Sequence, residues 1–370
     1  MKKNKVGREG QPPTMCLCQA GMNLSAKFYT FIVVWCVGQS VGFKAPPERK
    51  HSPVVRKAKK ETMNICKIKV RHVIGVFLLT SCSPTLTQLK DKNENEIRSS
   101  YTLYSNIAYG TDSLQTMDIH KSGNANALKD KNFTIIYIHG GGWYLSDKLQ
   151  AHEMAFVQPF LKKGMNVVNM NYTLKKGVLV TLEDITKALN FLASNNDKFQ
   201  LNLNKVILTG FSAGGAIAAT LGLSQNNQDN PFQINSKLKI RGIVDFSGPV
   251  DDFEKVENVF TNWANDDEIK DLAQKLGRAM FPPDDKLSKE AILHKVQAIT
   301  YFDKNDPGVF LWSGGQDNQI PHSTFTKFIP MIESNRLKNK VVYIVNGQHY
   351  PNQEQLESAY VDIFKFLDNN

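Results

Sequence analysis

Ser212 has the clearest chemical prospects of any residue in this chain. It is the centre of Gly210-Phe211-Ser212-Ala213-Gly214, between the apolar run Val206-Ile207-Leu208 and the small-residue run Ala216 to Leu223. A strand, a G-x-S-x-G turn and a helix, in that order, make a nucleophile elbow. The turn leaves no room for side chains at its flanks, so glycine stands there. Serine is held in a strained backbone geometry with its hydroxyl exposed at the sheet edge. A serine hydroxyl is a weak nucleophile at neutral pH. It needs a base to take its proton, an acid to orient that base, and N–H donors for the oxyanion. The pentapeptide alone is a weak signal, so its weight depends on those partners.

In this architecture the chain order is serine, acid, histidine. Only three of the eight histidines follow Ser212: His294, His322 and His349. His349 lies in Asn346-Gly347-Gln348-His349-Tyr350-Pro351, a loop after the apolar run Val341 to Val345. A base there can reach across the sheet edge. His294 sits in a charged helical pattern and reads as surface. His322 follows Pro321 at a helix start; it is the alternative base but reads better as a helix-end or rim residue. Val309 to Trp312 reads as a buried strand. Between it and His349 the only acids are Asp317 and Glu333. Glu333 falls on the wet face of a helical pattern. Asp317 sits in the loop Ser313-Gly314-Gly315-Gln316-Asp317. Taken alone it is a turn aspartate; in the slot that chemistry requires, it is the acid.

Oxyanion donors are expected upstream. His139-Gly140-Gly141-Gly142-Trp143 follows the strand Phe133 to Ile138. Three glycines after a strand could cradle a phosphate, but neither G-x-x-x-x-G-K-[ST] nor a dinucleotide fingerprint with its acid is present. Bare glycine amides can approach a developing alkoxide with no Cβ in the way. The amides of Gly141, Gly142 and Ala213 are the expected donors, and His139 is expected to hold the loop.

These motifs together resemble the α/β-hydrolase superfamily, and most nearly its esterase/lipase branch with an HGGG loop. Asn171-Tyr172-Thr173-Leu174 is similar to that branch's N-Y-R-L turn, and Asp184 with Ala188 to its D-x-x-x-A helix. Ala298-Ile299-Thr300-Tyr301, Asp306-Pro307 and Gly314 to Pro321 resemble the SPITY…DPP…HG-x-x-D-x-x-V-P passage of bacterial carbohydrate-esterase-like members, the feruloyl and acetyl-xylan esterase types. The resemblance spans roughly residues 100–368. Thr173 stands where arginine is usual, so the arginine's salt bridge is expected to be missing. Ser313 replaces the histidine of HG-x-x-D. The resemblance implies a serine carboxylic-ester hydrolase acting through an acyl-enzyme on a small-molecule or glycan ester, with no metal and no cofactor required. An arylformamidase-type amidase shares the same parts. A catalytically silent surface binding module is the non-enzymatic alternative.

The elements that position these residues begin near residue 100. Tyr101 to Tyr109 and Gln115 to His120 read as an antiparallel pair. Phe133 to Ile138, Val167 to Met170, Val206 to Leu208, Gly242 to Phe246, Val309 to Trp312 and Val341 to Val345 read as further strands. Helical patterns fall at about 149–163, 183–199, 213–224, 323–337 and 353–368. The expectation is one α/β-hydrolase domain, 101–370, with an eight-stranded mostly parallel sheet and helices on both faces. The stretch from about 249 to 308 is too long for a simple crossover and reads as a small helical cap. Phe260 and Trp263 are candidates to line a pocket there.

The net charge of +10 does not describe this body. Residues 1–82 hold 15 Lys and Arg against 3 Asp and Glu, a balance of +12. The remainder holds 30 against 32, a balance of −2. Nucleic-acid binding is therefore not expected. All five cysteines, Cys16, Cys18, Cys36, Cys66 and Cys82, fall in the first 82 residues, and their spacing gives no zinc site. Met63 opens a basic stretch, the apolar run Val73 to Leu79 follows, and then Thr80-Ser81-Cys82. That order resembles a lipoprotein-type signal peptide over 63–82, with Cys82 lipidated and a polar tether over 83–100. Residues 1–62 read as a non-native or disordered extension. The expected location is exported, membrane-anchored through Cys82.

Overall fold

Apolar runs of five to eight residues, separated by helical patterns, become strands β1 (Tyr101–Ala108), β2 (Thr116–Ser122), β3 (Thr134–Ile138), β4 (Asn166–Met170), β5 (Val206–Phe211), β6 (Ile240–Phe246), β7 (Gly308–Gly314) and β8 (Lys340–Ile344). The computed structural model describes residues 100–263, 267–283, 286–334 and 338–370, all within the unit Gly75–Asn370. The segments 1–62 and 63–82, Cys82 with them, and the tether up to residue 99 lie outside the described residues. The strands form one sheet in the order β1-β2-β4-β3-β5-β6-β7-β8. The β1–β2 and β2–β4 pairings are antiparallel and the other five are parallel. This is the mostly parallel eight-stranded sheet that the sequence pattern predicts.

Side chains alternate across the sheet and divide the core in two. Ile135 and Tyr137, Val167, Ile207, Val244, Phe310 and Trp312 point to one face. There they meet α1 (Ala151–Lys162) through Phe156 and Phe160, and the C-terminal helix Gln353–Asp368 through Ile363 and Phe366. Ile136, Ile138, Val168, Leu208, Ile243 and Leu311 point to the other face. That face is covered by α2 (Val178–Ser194), α3 (Ala213–Ser224) and the helices between β6 and β7. Every residue of α3 is buried. Its small residues let the helix backbone lie against the sheet, with Gly222 on Ile243.

The stretch after β6 forms α4 (Phe253–Thr261), α5 (Asp267–Met280) and α6 (Lys289–Val296). Phe253 packs 5.9 Å from Trp143. A Cβ on Gly142 would lie 3.0 Å from Leu276 Cγ, and one on Gly177 would lie 2.6 Å from Pro282 Cδ. These helices therefore lie over the glycine-rich loop after β3. Phe260 and Trp263 stack on each other, 6.2 Å apart and 14° from parallel, and both are buried.

Two helical stretches differ from the sequence expectation, and that at 183–199 also breaks at Asn195, leaving Asn196–Phe199 as a separate turn. α2 starts at Val178, five residues early, because Val178, Thr181 and Leu182 are buried and packing outweighs the weak helix preference of β-branched residues. The pattern at 323–337 yields a 3-10 turn His322–Thr324 and a short α7 (Phe328–Glu333). A helix begun at 323 would put Pro330 in its interior, where its ring clashes with the preceding turn. Starting at Phe328 places it in the first turn, where no N–H is needed. The C-terminal helix, α8 (Gln353–Asp368), starts on a capping box between Asn352 and Gln355.

Pairing is in step along the strand ends. Ile138 pairs with Gly210, Gly210 with Asp245, and Phe246 with both Phe211 and Trp312. The loops after β3, β5, β6 and β7 thus leave the sheet side by side. A Cβ on Gly214 would overlap the Ile138 carbonyl oxygen, whereas one on Gly164 would meet nothing within 4 Å. Gly164 has a φ of +78°, so alanine there carries only left-handed strain. Gly164→Ala is expected to cost about 1–2 kcal/mol, and Gly214→Ala more than about 3 kcal/mol; urea unfolding of both variants measures the difference.

Candidate active site

Ser212 sits between β5 and α3 with φ 55° and ψ −120°, a region that side chains rarely occupy. A Cβ on Gly210 would overlap Gly214, and one on Gly214 would lie 2.6 Å from the His139 carbonyl oxygen. The Ser212 N–H donates to the Phe246 carbonyl at 2.7 Å, which ties the elbow to β6. The sequence motif and the backbone agree.

Ser212, His349 and Asp317 come together in one chain of hydrogen bonds. His349 Nε2 lies 2.9 Å from Ser212 Oγ. His349 Nδ1 lies 2.7 Å from Asp317 Oδ2. The side chains of His349 and Asp317 are 6% and 2% exposed, so water does not compete for this pair. The other Asp317 oxygen, Oδ1, accepts the N–H groups of Gln319 at 2.8 Å and Ile320 at 2.9 Å. One carboxylate is therefore both a turn aspartate and the partner of His349. The loops that carry them cross closely: the Gln316 N–H donates to Gly347 O at 2.8 Å, and Gly315 N–H to Ile344 O at 2.8 Å. A Cβ on Gly314 would overlap the Gln348 carbonyl, which explains the glycine. His294 is exposed, and His322 packs 4.4 Å from the Tyr343 ring at the far edge strand. Glu333 is exposed, as its helical position implies.

The loop after β3 is built from residues with positive φ: Gly141 at 94°, Gly142 at 58° and Trp143 at 58°. Its turn closes through Tyr144 N–H and Leu145 N–H, both on Gly141 O at 3.1 Å. Among the described residues, neither the Gly141 nor the Gly142 N–H donates to a protein acceptor. Ala213 is the first residue of α3, where a helix leaves its N–H groups unpaired. His139 is buried, stacks 4.3 Å from Tyr172, and places Nδ1 2.7 Å from Gly140 O. Burial pushes its pKa down, so it stays neutral and holds the loop. The Tyr172 hydroxyl donates to the His139 and Gly140 carbonyls at 3.1 and 3.0 Å.

Two buried carboxylates that the sequence reading passed over support this loop and the elbow. Glu153, on α1, has no exposed surface. Its Oε1 accepts from Gly140 N–H at 2.9 Å and Ser146 Oγ at 3.3 Å, and lies 3.2 Å from His152 Nε2. Its Oε2 accepts from the Tyr137 hydroxyl at 2.5 Å. Burial pushes its pKa up, but the donors and the neighbouring histidines outweigh that and hold it below 4.5. Its signal in the sequence is a charge on the same helical stripe as Phe156, Val157 and Phe160. Asp245, at the end of β6, is the opposite case. Burial pushes its carboxyl well above 3.8, against a single donor, Gly248 N–H at 2.7 Å. The expected loss of a salt bridge at Thr173 is made good differently: Asp184 accepts from Thr173 N–H at 2.8 Å and Gln115 Nε2 at 2.6 Å.

The two carboxylates should respond oppositely to pH. Glu153 has a depressed pKa, so its stabilisation is present above 4.5 and is lost as pH falls through the folded value. Glu153→Gln is expected to cost roughly 2–4 kcal/mol near neutral pH, with the gap from the native protein closing in acid. Asp245 has a raised pKa, so its contribution is full below 3.8 and is lost as pH rises. Asp245→Asn is expected to gain on the native protein as pH climbs. Urea melts of both variants from about pH 2.5 to about pH 8 check both signs.

Residues 117–330 match the BD-FAE family. A protein of Acanthamoeba polyphaga mimivirus, named as an alpha/beta hydrolase, is 26% identical over 147 residues, which is 38% of this chain and 41% of that one. Endo-1,4-beta-xylanase B of Butyrivibrio fibrisolvens is 26% identical over 199 residues, 52% of this chain and 28% of that one. The chain thus spans under half the length of both relatives. A truncated carbohydrate esterase from gut microbiota superposes with a TM-score of 0.55 and 20% identity, covering 73% of this chain and 98% of that one. With its eight-stranded sheet, its elbow and a family match over more than half its length, this chain belongs to the BD-FAE family and has the α/β-hydrolase fold.

Proposed function

We propose that this protein is a serine carboxylic-ester hydrolase that works through an acyl-enzyme. The observation that carries the reading is the relay Ser212 Oγ, His349 Nε2 and Nδ1, Asp317 Oδ2, with steps of 2.9 and 2.7 Å. Ser212 Oγ attacks the ester carbonyl carbon while His349 Nε2 takes its proton. Asp317 holds Nδ1–H, fixes the tautomer and stabilises the imidazolium. The carbonyl oxygen becomes an oxyanion against the amides of Gly141, Gly142 and Ala213. The alkoxide leaves with the proton from His349. Water then repeats the sequence on the acyl-enzyme and releases the acid. The substrate class is short-acyl, aryl or carbohydrate esters; it rests on the passages at 298–301, 306–307 and 314–321, similar to those of carbohydrate esterases. Export with attachment through a lipidated Cys82 belongs to the same reading and rests on Leu79-Thr80-Ser81-Cys82.

Ser212→Ala is expected to lower kcat on p-nitrophenyl acetate by at least about 10⁴-fold and to abolish labelling by a fluorophosphonate. Retained labelling of that variant would refute the assignment. Faster turnover of formyl amides than of acetyl esters would move the protein to the amidase reading.

A further inference from the structure

Ser247 has a left-handed backbone, a buried position and a hydroxyl bond to the loop of His349. It follows β6, is fully buried, and has a φ of +55°. Left-handed backbone costs a serine free energy that glycine would not incur. A serine retained under such strain needs a compensating contact, and the side chain supplies one. Ser247 Oγ donates to the main-chain carbonyl of His349 at 3.1 Å, across 102 residues of sequence. Its own N–H donates to the Trp312 carbonyl at 2.9 Å, at the end of the strand that leads to Asp317. Ser247 therefore joins the end of β7 to the loop of the base. Phe246, one residue earlier, takes the N–H of Ser212. The turn at the end of β6 thus touches the backbone of the elbow, the β7 end and the His349 loop.

We propose that Ser247 is a positioning residue for the reaction, holding the His349 backbone so that its ring stays between Ser212 and Asp317. This rests on the serine-hydrolase reading above. The His349 ring has two side-chain partners, and neither fixes where its backbone sits. The Ser247 hydroxyl ties that backbone down through the His349 carbonyl. Small displacements of a base from its nucleophile cost large factors in rate.

The test uses two variants with opposite backbone consequences. Ser247→Gly removes the hydroxyl and relieves the left-handed strain; Ser247→Ala removes the hydroxyl and keeps the strain. Both are expected to lower kcat on p-nitrophenyl acetate by about tenfold or more, with KM within about twofold of the native value, and to slow fluorophosphonate labelling in proportion. The glycine variant is expected to melt within about 3 °C of the native protein, which separates the rate effect from folding. A glycine variant with native kcat overturns the proposal, as does a kcat loss confined to the alanine variant and matching its drop in melting temperature. Activity that survives Ser212→Ala would instead defeat the hydrolase reading itself, so the two failures are distinguishable.

Discussion

The close approach of backbones at the start of α3 is the constraint on which the rest of this structure depends. Gly210, Gly214, Gly215 and Gly248 each stand where a Cβ would collide with main chain or with the buried Asp245 carboxyl. The collisions at Gly214 are with the carbonyls of Ile138 and His139, the root of the glycine-rich loop. The same absence of side chains that lets the helix press on the sheet therefore sets Ser212 and the glycine-rich loop after β3 side by side. A serine at φ 55° and ψ −120° persists only because its surroundings over-determine it. Here they do: Phe246 holds its N–H, α3 is buried along its whole length, and the in-step strand ends fix the neighbouring loops.

Around this contact, buried polar groups are treated in two distinct ways. Glu153 is ringed by donors and remains charged at the cost of an inward-facing carboxylate, and it clamps Gly140. Asp245 has one donor and is driven toward its neutral form. His139 looks chemically suggestive beside three glycines, but it is buried, stacked and pushed toward neutrality, and it serves the shape of the loop. A functional motif thus contains a residue whose chemistry is suppressed, while the supporting carboxylate lies ten and more residues away on a helix.

Much of this was legible in the sequence because the steric demands are local. G-x-S-x-G, HGGG, Asp317 and His349 each follow an apolar run, and strand ends are where sheet proteins place such groups. The helices at 213–224 and 353–368 end where their patterns end. What was not legible depends on long-range geometry. Ser247 carries no signal, because a positive φ at serine leaves no trace in composition. Glu153 had a faint one, a charge on an apolar stripe. The early start of α2 and the shortened α7 came from burial and from the placement of Pro330, which periodicity alone does not weigh. The sequence set two readings of Asp317 against each other, a turn aspartate and the partner of His349; in the structure they do not compete, since Oδ1 takes the turn N–H groups and Oδ2 the imidazole.

The seat of Leu276 on Gly142 has a consequence for how this part of the fold can change. Helices α4 to α6 border this rim, while the loops of Asp317 and His349 are locked together at Gly314 and Gly347. α5 rests its leucine directly on Gly142 in the turn after β3, and Gly277 fixes that helix tightly against α4. The packing of that helix and the shape of the turn after β3 are therefore mechanically linked at a single aliphatic contact.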